Sequence, residues 1–384
     1  MRIRREPPVQ LKTPAQFDRM RAAGLVVAQA LDTTVAAVRA GVSTADLDAI
    51  AEHEIRAAGA VPSFLGYHGY PATICTSVND EIVHGIPSAD RRLAAGDLIS
   101  IDCGAIVDGW HGDAAVTVGV GPVGGDAARL IEACETALWH GLAEAWPGHR
   151  LTDISHAVES SARSSGPYGI VEEYVGHGIG TEMHMDPPVP NYGKPGRGPV
   201  LAEGMALAIE PMLTLGQASA RLVADGWTVV TADGSWSAHF EHTVAITADG
   251  PWVLTARDGG RAGLARARAS QAARVARQNG ASPAARKGGT GSAARPGAAR
   301  PGAARQDVAR QNGASPAARE GGTGPAARPG AARPDVARQD AARQDAGRPD
   351  AGRPDAGQQD PGWPGDAGQA ADPVPLPAGA QSDG

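Results

Sequence analysis

A single turn, Asp108-Gly109, constrains the fold of this chain more than any other feature of its sequence. Strand-like segments with alternating apolar residues lie on both sides of it, and an Asp-Gly pair in that setting is the strongest short-range signal of a β-hairpin. A two-residue turn places Asp113 opposite Gly104, which shares the parity of Asp102, so both carboxylates point out of one sheet face. Like charges at that distance are costly unless a cation neutralises them. The hairpin therefore predicts a site for one or two divalent ions.

The composition changes abruptly near Asp258, and this change predicts where the folded part of the chain ends. Residues 1–258 contain 17 Lys+Arg and 31 Asp+Glu, whereas residues 259–384 contain 18 and 11. The first part holds nearly all the aromatic and branched apolar residues and is long enough for one large core. The second part has Trp363 as its only aromatic residue and cannot build a core. We predict one globular domain over 1–258 and a disordered, low-complexity tail over 259–384.

The tail itself allows two interpretations. Residues 259–334 carry a net charge of +12 and residues 335–384 a net charge of −5. One interpretation is a solvated extension without a specific partner. The other is a basic arm that lowers the cost of approaching RNA in a salt-sensitive way. The acidic globular part argues against specific nucleic-acid binding by that domain.

The cysteine content and hydropathy predict the compartment. Cys75, Cys103 and Cys134 are too few and too scattered for a disulfide framework, as expected in a reducing cytosol. No window of the sequence approaches the length of a membrane span. We therefore expect a soluble, cytoplasmic protein that does not contact a membrane, and we expect a monomer.

The order of predicted elements indicates the fold class. Two helices are followed by strand-like segments, and the same order then recurs in the second half of the globular part. This pattern predicts an α+β domain with two pseudo-symmetric halves, in which antiparallel sheets lie inside and helices pack outside them.

Three further clusters of acid or imidazole groups lie in apolar, strand-like settings. His177 and His184 flank a glycine-rich segment, Glu210 ends an apolar strand, and Glu241 lies within another strand. Each cluster alone is weak evidence, but carboxylates rarely collect at sheet positions without a shared counter-charge. Four carboxylates and one imidazole suit two ions of Mn, Fe, Co or Zn. Such a centre can activate water, so the sequence predicts metal-assisted hydrolysis.

Several motifs carry a resemblance to type I methionine aminopeptidase in its compact bacterial form, in peptidase family M24. The match runs from about residue 10 to about residue 255 and includes Tyr67-His-Gly-Tyr-Pro, Cys75-Thr-Ser-Val-Asn-Asp-Glu-Ile-Val-His-Gly-Ile-Pro, Gly176-His-Gly-Ile-Gly, Glu210-Pro-Met and Glu241-His-Thr. The resemblance implies a pita-bread (creatinase/aminopeptidase-like) fold. It also implies hydrolytic removal of the initiator methionine from nascent polypeptides, with preference for a small second residue and with a possible transient contact to the ribosome.

The resemblance also assigns roles to individual residues. The implied ligands of two divalent ions are Asp102, Asp113, His177, Glu210 and Glu241, of which Asp113 and Glu241 would bridge the ions. Glu210 would also take a proton from the attacking water, and His84 and His184 would contact the scissile peptide. The implied methionine side-chain pocket consists of Tyr67, Tyr70, Cys75, Met183 and Trp227, with His68 beside them. Without the resemblance, His84 is equally well explained as a turn residue, and a cysteine in a strand, such as Cys75, is more often a small core residue than a functional thiol.

Two alternatives remain at the level of sequence. An Xaa-Pro aminopeptidase or prolidase would use a similar metal set, but such enzymes usually carry a large additional amino-terminal domain. A non-catalytic binding protein could have the same pita-bread fold, but such relatives typically lose metal ligands. All five expected positions hold suitable residues in this chain.

Overall fold

The structure, a computed structural model, describes residues 9–278. The helices within that range are α1 Pro14–Ala36, α2 Thr44–Ala57, α3 Gly125–Ala143, α4 Leu151–Ser165 and α5 Arg261–Gln278, with a 3-10 turn at Tyr67–Gly69. The strands are β1 Val61–Pro62, β2 Ile74–Val78, β3 Glu81–Val83, β4 Leu98–Val107, β5 Trp110–Gly119, β6 Gly169–Ile170, β7 Gly176–Gly178, β8 Met185–Val189, β9 Ala206–Ile209, β10 Met212–Thr214, β11 Ala220–Leu222, β12 Val229–Thr231, β13 Ser237–His239, β14 Glu241–Thr247 and β15 Gly250–Val253. Among these described helices, none is both long and apolar enough to cross a bilayer.

The first two helices begin where local capping residues predict. Thr13 accepts a hydrogen bond from the backbone of Gln16, whose side chain in turn accepts from the Thr13 backbone N–H. Ser43 and Asp46 form the same reciprocal arrangement at the start of α2. Both capping boxes satisfy N–H groups that a helix start leaves without a partner. They fix the positions at which the outer helices meet the sheet.

The central sheet has nine strands, and its path β1-β4-β5-β14-β9-β7-β8 is antiparallel throughout. The predicted hairpin is confirmed, because β4 and β5 pair over ten residues with Asp113 directly opposite Gly104. Two smaller three-stranded sheets, β13-β10-β6 and β11-β12-β3, complete the strand arrangement.

The two helix pairs cover separate parts of the core. Residues of α1 and α2 pack with Ile99, Ile101 and Cys103 of β4, whereas α3 and α4 pack with residues of β9, β13 and β14. Asp102 has the opposite parity to Ile101 and Cys103, so its side chain points away from the helices. The predicted α+β class, with antiparallel strands inside and helices outside, is confirmed.

The predicted start of the tail at residue 259 is wrong for the segment Arg261–Gln278, which forms α5. Leu264 and Ala267 are buried in the core formed with α3 and α4. Arg268 lies 5.2 Å from the Trp146 ring centroid, and Arg274 donates to the backbone oxygen of Ser160. These few contacts hold α5 against the folded domain, although its composition is similar to that of the low-complexity sequence that follows it. The prediction of disorder for 279–384 lies outside the described residues.

Candidate metal centre and substrate pocket

Neighbouring strands of the central sheet supply the five side chains predicted as metal ligands. They are Asp102 on β4, Asp113 on β5, Glu241 on β14, Glu210 directly after β9 and His177 on β7. These strands follow one another in the order β4-β5-β14-β9-β7. Residues far apart in the sequence therefore meet in one region because each occupies a successive strand.

The strand registers place these side chains on the same face of the sheet. Ala115 is the cross-strand neighbour of both Asp102 and Glu241, and Asp113 lies two residues before it. On the other side, Ala208 is the neighbour of both Thr243 and His177. Cross-strand neighbours and residues two apart share a face. The two registers therefore bring one imidazole and the carboxylates to a common surface.

The side-chain distances are short. The His177 Nε2 atom lies 3.6 Å from Glu210 Oε1 and 3.9 Å from Glu241 Oε1. Ligand atoms of Asp113, His177 and Glu241 all lie within 4.8 Å of one another. Asp102 contacts Asp113 side by side. The five predicted ligands thus form one cluster, in which Asp113, His177 and Glu241 are buried and Asp102 and Glu210 are half-buried.

The cluster is electrostatically unfavourable by itself. Burial, and then the charge of Asp102, raises the pKa of Asp113 well above its usual value. Burial, followed by the charge of Asp113, does the same to Glu241. The pKa values of Asp102 and Glu210 rise to about 7, mainly because of burial. Each shift reflects the cost of burying a carboxylate charge, which His239 for Asp102 and His177 for Glu210 offset only in part.

The donor set fits divalent ions. Within the described chain, Asp102 Oδ1, Asp113 Oδ1 and Glu241 Oε1 are buried without a hydrogen-bond partner. The His177 Nδ1 atom lies 3.0 Å from the Gly178 carbonyl oxygen, to which it can only donate. The Nε2 atom of His177 then carries a lone pair that faces carboxylate oxygens. A bound cation would satisfy all of these acceptors, and this hydrogen bond orients the imidazole for it.

His239 belongs to the same cluster, although no sequence motif had singled it out. Its Nε2 atom lies 3.6 Å from Glu210 Oε2, and Glu210, His239 and Glu241 offer ligand atoms within 4.8 Å of one another. The sequence His239-Phe-Glu-His contains two histidines, and only His239 belongs to the ligand cluster. Residues two apart in a strand share a face, so a predicted strand through this segment would have placed His239, and not the adjacent His242, on the same face as Glu241.

The two histidines predicted to contact substrate lie beside this cluster. The His184 ring is 4.3 Å from the His177 ring, and its Nδ1 atom is 2.9 Å from the Tyr67 hydroxyl. Burial, followed by the nearby His177, places the pKa of His184 well below its ordinary value. His84 has a left-handed backbone (φ 60°), and its ring centroid lies 5.8 Å from that of Tyr174. An unusual backbone conformation at a non-glycine residue often accompanies a functional position.

The predicted pocket residues form one apolar cluster. Tyr70, Cys75 and Met183 are buried in it, and Tyr67 and Trp227 pack against it. His68 is exposed, with its ring 4.3 Å from that of Tyr67. The cluster also contains three residues that the sequence analysis missed, which are Phe64, Ala72 and Ile86.

Hydrogen bonds fix two residues of this apolar cluster. The Tyr70 hydroxyl lies within 3.1 Å of the Ile74 and Gly85 carbonyl oxygens, which connects the pocket to the segment that follows His84. The Asp225 carboxylate accepts from the backbone N–H of Trp227 and thereby orders the turn before this ring. This apolar cluster therefore adjoins the cluster of metal-ligand type residues, to which the contacts of Tyr67 with His184 and of His184 with His177 connect it.

Comparisons with known proteins agree with this arrangement. The sequence profile of metallopeptidase family M24 matches residues 18–248. The chain belongs to this family. The methionine aminopeptidase 1 of Mycobacterium tuberculosis is 55% identical over 259 residues, covering 66% of this chain and 97% of that protein. The methionine aminopeptidase of Clostridium acetobutylicum is 51% identical over 245 residues, covering 64% of this chain and 98% of that protein.

Solved structures of M24 peptidases have the same fold. The crystal structure of methionine aminopeptidase from Thermotoga maritima matches with a TM-score of 0.64 and 41% identity, covering 65% of this chain and 99% of that one. Prolidase from Pyrococcus furiosus matches with a TM-score of 0.52 and 24% identity, and this second likeness concerns the fold alone. The predicted pita-bread fold and the resemblance to methionine aminopeptidases are confirmed. As an M24 metallopeptidase, the chain is a hydrolase that depends on divalent metal.

Proposed function

We propose that this protein is a methionine aminopeptidase that uses two divalent ions to remove the initiator methionine from nascent polypeptides. The observation that carries the proposal is the convergence of five ligand-type side chains from five neighbouring strands, directly beside an apolar cluster. Asp102, Asp113, His177, Glu210 and Glu241 would hold the ions, which we expect to be Co, Mn, Fe or Zn.

Peptide-bond hydrolysis requires an activated water and a group that transfers its proton. Two bound ions would polarise the scissile carbonyl and lower the pKa of a shared water. Glu210 would accept the proton of the attacking water, and its side chain is more open to solvent than that of Glu241, at 14% against 3% exposed. The water oxygen bonds to the carbonyl carbon, the carbon–nitrogen bond breaks, and the proton passes to the departing amine.

His84 and His184 position the scissile peptide in this proposal. Both rings lie near the ligand cluster, since His184 stacks edge-on against His177 and experiences the charge of His84. Their ring N–H groups can donate to the peptide oxygen, on which negative charge develops as the carbonyl carbon becomes tetrahedral. The tyrosine contact of His184 restricts its rotation.

The apolar cluster around Tyr70, Cys75 and Met183 would bind the methionine side chain. A thioether is apolar, flexible and polarisable, and it packs well against aromatic rings such as those of Tyr67 and Trp227. We expect preference for a small residue after the methionine.

A peptide cleavage panel tests the proposal. The protein is stripped of metal and then loaded anaerobically with Fe, Mn, Co or Zn, and hydrolysis of Met-Ala-Ser is followed for each ion. We expect turnover that saturates near two ions per chain. Turnover of Met-Ala-Ser that is independent of added metal and resistant to chelators would contradict the two-ion proposal.

An Xaa-Pro aminopeptidase or prolidase is the second candidate, because the prolidase of P. furiosus shares the fold. The matched region covers only 65% of that enzyme, whereas it covers 97% of the M. tuberculosis methionine aminopeptidase. The peptides Met-Ala-Ser and Ala-Pro-Ser discriminate between the two functions. Faster release from the second peptide would favour the prolidase function.

A non-catalytic binding protein is the candidate from a different class. Its fold would be the same, but it would have no need for buried carboxylates with raised pKa values such as Asp113 and Glu241. Failure of the purified protein to bind any divalent ion under reducing, anaerobic conditions would support this candidate.

We further propose a transient contact with the ribosome. It would use the basic residues of α5 and of the sequence up to residue 334, which together carry net positive charge while residues 1–258 are acidic. Deletion of 279–384 should weaken co-sedimentation with ribosomes at low salt, and the loss should shrink as salt rises. Unchanged co-sedimentation would exclude this role for the basic residues up to position 334 that lie beyond α5. We propose that the protein acts as a monomer in the cytoplasm, where nascent chains emerge.

A further inference from the structure

We propose that His239 is a sixth metal ligand, which gives the centre a second imidazole. The inference rests on the proposed two-ion centre and extends it to a residue on a separate small sheet. His239 ends β13, which pairs with β10 rather than with the central sheet. The five other ligands come from central-sheet strands or, for Glu210, from the residue that follows one.

The side chain of His239 has no evident structural role. It is 1% exposed, and its Nε2 atom is buried without a hydrogen-bond partner in the described part of the chain. An unsatisfied buried imidazole nitrogen is costly, because it has lost its hydrogen bonds to water without replacing them. A structural histidine would be expected to bond a carbonyl or hydroxyl group. His239 instead directs this nitrogen at Glu210 Oε2.

The distance between these atoms is that of two ligands of one ion. Two atoms each ~2.1 Å from an ion and ~110–120° apart are separated by roughly 3.4–3.6 Å. His239 Nε2 and Glu210 Oε2 are 3.6 Å apart, which equals the separation of His177 Nε2 from Glu210 Oε1. Glu210 therefore lies between two imidazoles, with one oxygen towards each. The two imidazoles belong to separate ligand groups, Asp113–His177–Glu241 and Glu210–His239–Glu241, and we assign one histidine to each ion on this basis.

The backbone of His239 is fixed independently of any metal. Thr117 on β5 accepts from the His239 N–H at 2.8 Å and donates to the His239 carbonyl oxygen at 2.8 Å. Ser100 on β4 lies 2.8 Å from the same hydroxyl group. The two strands that carry Asp102 and Asp113 thus also position His239. Ligands held by such outer hydrogen bonds are preorganised for the ion.

Nitrogen ligation by His239 has a consequence for metal choice. Without His239, the ion held by Glu210 and Glu241 would have carboxylate ligands alone, in a site suited to hard cations such as Mg or Mn. An imidazole shifts the preference towards Fe, Co and Zn. We therefore expect both ions to be of this borderline class.

Co(II) binding to the metal-free protein tests the inference. Titration calorimetry and the visible absorption of Co(II), both without substrate, compare wild type with the variant His239→Gln. The matched control is His140→Gln, because His140 is also buried with an unpartnered Nε2 atom but lies on α3 outside the cluster. We expect wild type and His140→Gln to bind two ions. His239→Gln should bind one of them at least ~10-fold more weakly, with a changed absorption spectrum.

A second measurement needs no variant. In the wild-type protein loaded with Co(II), proton NMR should show paramagnetically shifted ring signals from two histidines. Two wild-type ions with unchanged affinity in His239→Gln, or signals from a single histidine, would overturn the role of His239 and leave the two-ion proposal intact. Absence of Co(II) binding by wild type would overturn both.

Discussion

Thr243 connects to Asp113 through both backbone groups of the aspartate. The Thr243 hydroxyl accepts from the Asp113 N–H at 3.0 Å and donates to the Asp113 carbonyl oxygen at 2.8 Å. Within the described strands, β5 pairs with β14 only at Ala114 and Ala115. The Thr243 side chain therefore extends the hydrogen bonding between β5 and β14, the strands that supply Asp113 and Glu241. Asp113 and Glu241 keep their spacing through this junction.

Thr243→Val should therefore weaken both the fold and the metal centre. Valine keeps the shape, but two buried backbone groups lose their partner, at a cost of roughly 2–4 kcal/mol. Urea unfolding of the metal-free protein measures this loss, and calorimetry with Co(II) measures the accompanying fall in affinity. Thr243→Ser retains the hydroxyl group and should preserve both quantities. Equal behaviour of the two variants would show that the hydroxyl group is unimportant.

Asp113→Asn should affect activity and metal-free stability in opposite directions. Loss of the bridging carboxylate should lower turnover of Met-Ala-Ser by more than ~100-fold. Removal of one charge from a cluster of buried carboxylates should stabilise the metal-free protein by about 1 kcal/mol. Activity assays and urea unfolding in a chelator test the two effects. Activity near that of wild type would refute the bridging role.

His84→Ala should separate substrate contact from metal binding. The side chain lies outside the ligand clusters identified in the described residues, so metal occupancy should stay at its wild-type value. Turnover should fall by ~100-fold or more, because a donor to the scissile peptide is lost. Metal analysis alongside kinetics provides the measurement. His53→Ala, at an exposed position of α2, is the control. Parallel loss of metal and activity would contradict the assigned role.

The sequence predicted those parts of the site that depend on strand parity. A two-residue turn fixes the register of β4 and β5, so the relation of Asp102 to Asp113 followed from the sequence alone. The position of α5 could not be predicted from the sequence, because this helix is held by contacts with Trp146 and Ser160, which lie far away in the chain. Phe64 was missed for a similar reason, since it lies in a segment without periodicity and packs through tertiary contacts.

The buried Lys12 side chain should make the free energy of unfolding depend on pH above pH 7. The side chain is 6% exposed, and burial lowers its pKa from 10.5 to about 8. Between pH 8 and 10.5 the unfolded chain therefore binds more protons, and the free energy of unfolding rises with pH by roughly 2–3 kcal/mol from this group. Below pH 8 the cost of the buried charge is fully present.

Lys12→Met should accordingly be more stable than wild type at pH 7, by up to ~2 kcal/mol after the lost hydrogen bond to the Gln10 carbonyl is counted. The advantage should shrink as pH approaches 10. Urea unfolding of both proteins across this range provides the measurement. Lys194→Met, at an exposed position, should leave the pH dependence unchanged. A constant difference between Lys12→Met and wild type would show that the Lys12 charge is not responsible.

Gly263 should be essential for the docking of α5 on α3. A Cβ atom at this position would lie 2.4 Å from the Trp139 ring, closer than any ordinary contact. Gly263→Val should therefore force the helix away from Trp139 and destabilise the domain by roughly 1–3 kcal/mol. Trypsin should then cleave at Arg266 and Arg268 much faster than in wild type. Ala265→Val introduces the same β-branched residue at an exposed position of α5 and should keep wild-type protection. Equal cleavage of the two variants would mean that helix propensity, rather than the close approach to Trp139, determines how α5 is held.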